Sequence, residues 1–117
     1  MAKVARLELD TGAAVCERCI LADSVFARMR GLLGRSSLEP GEGILLRPCS
    51  SIHTFFMGFP IDVVFCDRDL QVLSVAASVP AWRMRMKWRA KLAIELPAGE
   101  AERRGVAVGS RLRAVDV

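Results

Sequence analysis

The run Cys49-Ser-Ser-Ile-His-Thr-Phe-Phe-Met-Gly-Phe-Pro-Ile-Asp-Val-Val-Phe-Cys-Asp67 decides how this chain is read. It holds the only histidine, His53, together with four of the five phenylalanines and two of the four cysteines. Positions 52–57 and 61–66 are rich in aromatic and β-branched side chains, which suit a pleated, half-buried surface, and Gly58-Phe59-Pro60 interrupts them. The pattern predicts two strands of one hairpin. Asp62 stands between Ile61 and Val63, where a carboxylate needs donors because an unpaired buried charge is costly. Amides of the Gly58 turn are the expected donors.

Toward the N-terminus, residues 3–9 alternate as a half-buried strand, Asp10-Thr11-Gly12 signals a turn, and a second strand is expected over 13–21. Asp23 or Ser24 can cap a short helix running to Gly31, with Phe26, Met29, Leu32 and Leu33 at helical spacing. Residues 34–43 are too rich in breakers for a regular element, and Ile44-Leu45-Leu46 reads as a strand. Beyond the opening run, Asp67-Arg68-Asp69 makes a turn and 71–79 a strand. Residues 83–91 alternate strictly, which predicts a strand with Arg83, Arg85, Lys87, Arg89 and Lys91 wet and Met84, Met86, Trp88 and Ala90 buried. Leu92–Leu96 continues or pairs with it. A very short helix follows from Pro97 to Arg104, then closing strands at 106–108 and 112–115 around Gly109. The fold class is therefore α+β and mainly β: a compact antiparallel β barrel or sandwich of about eight short strands with two short helices.

At 117 residues, 52% of them hydrophobic and 26% charged, the chain is expected to form a single domain over 1–117. It has no apolar run of membrane-spanning length and no signal-peptide core, so the expectation is a cytoplasmic protein with no membrane partner. Four cysteines in such a chain read as reduced thiols. Residues 1–78 carry eight basic and nine acidic side chains, residues 79–117 nine and four, so the basic excess belongs to the last third.

Cys16-Glu-Arg-Cys19 offers half a zinc site or a redox couple, but its partners are missing, and on a strand the two thiols would face opposite ways. Neither a metal nor a cofactor is expected. A His53–Asp62 dyad fails on parity: a hairpin folded about Phe59 sets residue 53 opposite 65, on the other face from Asp62. There is no activated-serine motif, P-loop or dinucleotide fingerprint.

The segments Arg30-Gly-Leu-Leu-Gly-Arg35, Gly41-Glu-Gly-Ile-Leu-Leu46, Pro48–Met57, Phe59–Phe65, Leu96-Pro-Ala-Gly99 and Gly105–Gly109 occur in order. Together they resemble the bacterial and archaeal family DUF192 over about residues 20–115. The resemblance implies a small β-rich domain and brings no catalytic assignment. The chain departs from the family pattern twice, at Gly58, where a basic or polar residue is usual, and at Leu70, where glycine is common.

Polar groups held in an apolar cluster without a complete catalytic set favour a non-enzymatic binding or accessory module. Its groove would lie near Cys49, His53, Phe56 and Asp62, for a small molecule or a protein partner. A second reading is anion or nucleic-acid binding by Arg83, Arg85, Lys87 and Arg89. A third is a hydrolase or metal-dependent enzyme using His53, Asp62 and Cys49.

Overall fold

Strand β5, Ile61–Cys66, is buried at all six positions. Such a strand needs apolar cover on both faces, and the whole architecture supplies it. A computed structural model describes residues 3–22, 37–55 and 57–116. The other strands are β1 Lys3–Leu9, β2 Ala14–Ala22, β3 Glu42–Leu46, β4 Ser51–His53, β6 Val72–Val79, β7 Met84–Met86, β8 Leu92–Pro97 and β9 Leu112–Asp116. The one helix among the described residues, α1, is the single turn Glu100–Arg103. The helix expected to end at Gly31 falls outside the described residues, as does the candidate Phe56.

Seven strands form one curled half-barrel sheet in the order β6-β5-β8-β3-β2-β1-β9. Its two edges approach each other at one end: Gln71 bridges Arg111, the Val72 amide donates to Ser110 O, and the Leu112 amide donates to Leu70 O. Leu70 holds φ 64°, a left-handed conformation that costs a Cβ-bearing residue and that glycine adopts freely. Its side chain packs on the core and its amide donates to Asp67 O, so surrounding contacts hold the geometry.

Three sequence expectations are corrected. The sheet is not wholly antiparallel, because β2 and β3 run parallel from Arg18↔Glu42 to Ala22↔Leu46. Residues 52–57 and 61–66 do not form a hairpin. Strand β4 stops at His53 and pairs with β7 in a separate two-stranded ribbon, while β5 pairs with β6 and β8. Residues 106–108 form no strand; they lead into a turn whose Gly109 amide donates to Val72 O.

The large sheet separates two cores. One face carries Leu7, Cys16, Leu45, Val64, Ile94, Leu96 and Leu112, with Ala101 of α1 packed among them. The opposite face carries Ile44, Leu46, Ile61, Val63, Phe65 and Ala93, covered by Ile52 of the ribbon and by Cys49 and Met57. Alternate residues of β5 therefore serve different cores, which is why its sequence reads as one unbroken apolar run.

Candidate functional site

Asp62 lies with Val64 and Cys66 on the α1 side of the sheet and is 1% exposed. Its Oδ1 accepts from the Ser78 amide at 2.8 Å, and its Oδ2 accepts from the amides of Gly99 and Ala101 at 3.1 and 2.9 Å. The donors come from β6 and from the start of α1, not from the Gly58 turn. Gly99 at the N-terminus of α1 has no side chain to cap that helix, so Asp62 does so from the adjoining strand β5. Beside it, buried Glu100 pairs with Arg103 and with Arg104 Nε at 3.0 Å, and Arg104 reaches on to Glu17 at 2.8 Å. The Arg104 guanidinium holds the Glu17 carboxyl below the ordinary carboxylate value.

His53 sits on the other side of the sheet. It is exposed on β4, and its Nδ1 accepts the Phe55 amide at 3.3 Å. Asp62 therefore faces the α1-side core, while His53 is exposed on the ribbon that covers the opposite face, and the sheet itself stands between them. Cys49 is buried beneath the ribbon, donating its thiol to Ser51 O at 3.1 Å. The fold does not bring the expected set of Cys49, His53 and Asp62 together around one point.

Cys16 and Cys19 fall in the same core rather than on opposite faces. The register runs Ala5↔Cys19 and then Leu7↔Cys16, so β2 carries an extra residue in a bulge and the parity changes. The Cys16 thiol beside it, and then burial, push the Cys19 thiol up, while the Cys19 side chain lowers Cys16. Among the described residues, no group of three or more His, Cys, Asp or Glu side chains is placed to hold a metal ion.

The ribbon overturns the expectation for residues 83–91. Only Met84–Met86 is strand, and 88–89 is a turn. Its inward position is Arg85, opposite buried Ile52, so Met84 and Met86 face solvent at 63% and 75% exposure. Trp88, expected in the core, is 77% exposed, and Trp82 is 56% exposed. Arg83, Lys87 and Arg89 are exposed beside them. The rings of His53 and Phe55 lie 4.8 Å apart and those of Phe55 and Trp82 5.6 Å, while the Arg89 guanidinium sits 4.5 Å from the Trp88 ring centre. Buried Thr54 ties this surface together: its hydroxyl donates to Pro80 O at 2.6 Å and accepts from the Arg83 amide at 2.9 Å. Sequence reasoning placed Met84, Met86 and Trp88 on the buried face and so missed them as a surface, while Trp82 was open to stacking beside the cations. The available signal was the absence of any acidic residue between Asp69 and Glu95.

The DUF192 family model, described as "Uncharacterized ACR", matches residues 7–114. The chain belongs to the DUF192 family. Two UPF0127 proteins are similar: one from Thermococcus sibiricus, 33% identical over 100 residues (81% of this chain), and one from Pyrococcus horikoshii, 38% identical over 86 residues (70% of this chain). The aligned parts span 64% and 74% of those relatives' own lengths. Among solved structures, a "putative transcription regulator" from Sinorhizobium meliloti has a TM-score of 0.83 at 21% identity, covering 97% of this chain and 94% of its own. A protein of unknown function from Novosphingobium aromaticivorans has a TM-score of 0.80 at 20% identity, covering 96% and 84%. These neighbours share the DUF192 fold seen here. The two departures from the family pattern have different settings. Leu70 occupies a glycine-like conformation, whereas a Cβ on exposed Gly58 meets nothing within 4 Å.

Proposed function

We propose that this domain is a non-enzymatic binding module that engages an anionic partner through the outer face of the β4–β7 ribbon. One observation carries the reading: four large apolar side chains, Trp82, Met84, Met86 and Trp88, are exposed within seven positions and interleaved with cations. Single exposed apolar residues are ordinary, but a group of them rimmed by charge marks a contact surface. Catalysis finds less support in the same residues. Three amides occupy Asp62, the Phe55 amide occupies His53 Nδ1, and Cys49 is buried.

A second reading is single-stranded nucleic-acid binding, favoured by Arg83, Arg85, Lys87 and Arg89 beside the His53–Phe55–Trp82 ring stack. The name given to the Sinorhizobium meliloti neighbour points the same way.

Amide-resolved NMR titration with anionic micelles, and separately with an oligothymidylate, tests the contact face. Shifts concentrated at 53–55 and 82–89 are expected with at least one of them. No shifts with either, or shifts centred on the small depression lined by Val4, Arg18, Ile20, Leu38, Glu42 and Gly43, overturn the reading.

A further inference from the structure

Resting on that reading, we infer that the anionic partner is a lipid surface, with Trp82, Met84, Met86 and Trp88 entering the headgroup region and Arg83, Lys87, Arg89 and Lys91 meeting lipid phosphates.

The side chains present match an interface between water and acyl chains. Tryptophan combines an apolar body with one N–H donor and collects at headgroup depth. Methionine is flexible and adapts to a fluid surface. Met84 and Met86 lie on one face of β7, and exposed Trp82 and Trp88 stand in the turns that flank its two ends. Arg83, Lys87, Arg89 and Lys91 are exposed along the same segment, and no acidic residue occurs between Asp69 and Glu95 to oppose an anionic bilayer. The support beneath is rigid. Ile52 is sunk in the core, and the Thr54 hydroxyl holds the Pro80–Arg83 backbone by donating to Pro80 O and accepting from the Arg83 amide.

Charge and ring geometry separate this occupant from its competitors. A second copy docked through the same face would bring like charges together. A stacked base would have to share rings already engaged on one side, Trp82 with Phe55 and Trp88 with Arg89, and would leave the two exposed methionines unused. The methionines between them have no ring face to offer. No helix among the described residues is long and apolar enough to cross a membrane, and a shallow contact by a ribbon requires none.

The chain reports on this face unaided, because Trp82 and Trp88 are its two tryptophans and it has no tyrosine. Tryptophan emission is followed as the full chain is titrated with vesicles of phosphatidylcholine, alone or mixed with phosphatidylglycerol, and with an oligothymidylate. The expected result is a blue shift with the anionic vesicles, quenching by acyl chains brominated near the headgroup, and weak or no response to neutral vesicles. The double variant K87E/R89E should lower partitioning by at least about tenfold, since each cation near an anionic surface is worth roughly fivefold. M84S/M86S should also lower it, and both variants should melt as the parent does because these side chains are exposed. No response to anionic vesicles overturns the inference, as does equal partitioning into neutral ones. A response to the oligonucleotide alone overturns the lipid surface while leaving the ribbon as the contact face. Silence in every titration removes both.

Discussion

The carboxylate of Asp62 accepts the backbone amide of Ala101 at 2.9 Å, joining β5 to the first turn of α1 across 39 positions of sequence. With the bonds to Ser78 and Gly99, it makes one buried side chain the anchor of three segments. Asp62→Asn exchanges an acceptor oxygen for a donor facing an amide, and should cost about 2 kcal/mol. Asp62→Ala strands all three amides and should cost more, about 3–5 kcal/mol. Urea unfolding measures both. Loss of less than the stability carried by a surface substitution would contradict the bracing role.

Arg104 carries two carboxylates, Glu100 in the core and Glu17 nearer the surface. Arg104→Ala leaves Glu100 with Arg103 alone and should destabilise by about 2–3 kcal/mol. The pH dependence has a definite sign. Glu17 is held below its ordinary 4.5, first by the Arg104 hydrogen bond, so its contribution is present above 4.5 and is lost as pH falls through the lowered value. Glu8, lowered by Arg6 and Arg113, adds in the same direction. Melting temperatures followed downward from pH 6 should therefore fall below about pH 4.5, and Arg104→Ala should show a shallower acid limb.

All four cysteines are buried. Burial, with the Asp67 charge, pushes the Cys66 thiol up to about 12. The hydrogen bond from Cys19 favours ionisation of Cys16, but a thiolate that a reagent cannot reach does not react. A thiol-specific reagent at neutral pH should label none of the four in the native protein and all four after denaturation. Rapid native labelling of Cys16 or Cys19 would reopen a redox role for that pair.

Gly43 lies where three strands crowd together. A Cβ there would meet Cys16 Sγ at 2.9 Å, Glu95 O at 3.0 Å and Leu96 Cδ2 at 3.0 Å. One of those contacts is backbone of the paired strand β8 and cannot rotate away. Gly43→Ala should cost about 2 kcal/mol by overpacking, read as a lowered denaturation midpoint without a changed slope. An unchanged midpoint would mean that β3 and β8 can separate at little cost.

Much of the strand map was legible in the amino acids. Alternation over 3–9, the Asp10-Thr11-Gly12 turn, the apolar run 61–66 and the Asp67–Asp69 turn all correspond to observed elements or their connections. Pattern also marked Asp62 as a brace, since an isolated carboxylate in that run has to find donors. What the pattern left open was which donors, because Ser78, Gly99 and Ala101 are distant in sequence.

The ribbon shows the limit most directly. Period-two alternation states which residues share a face, and the physics of the strand alone is indifferent to which face meets water. Only the pairing of β4 with β7, with Ile52 and Arg85 opposite each other on the inner side, turned Met84 and Met86 outward. The same holds for Cys16 and Cys19, where one extra residue in a bulge moved both thiols into one core. The run from Cys49 to Asp67 determined by itself that the chain has a β-rich core and a carboxylate that must be satisfied. Strand parity already set His53 and Asp62 on opposite faces; tertiary structure alone decided that their strands pair with β7 and with β6 and β8 rather than with each other, because each strand's neighbour is chosen by contacts that local sequence does not contain.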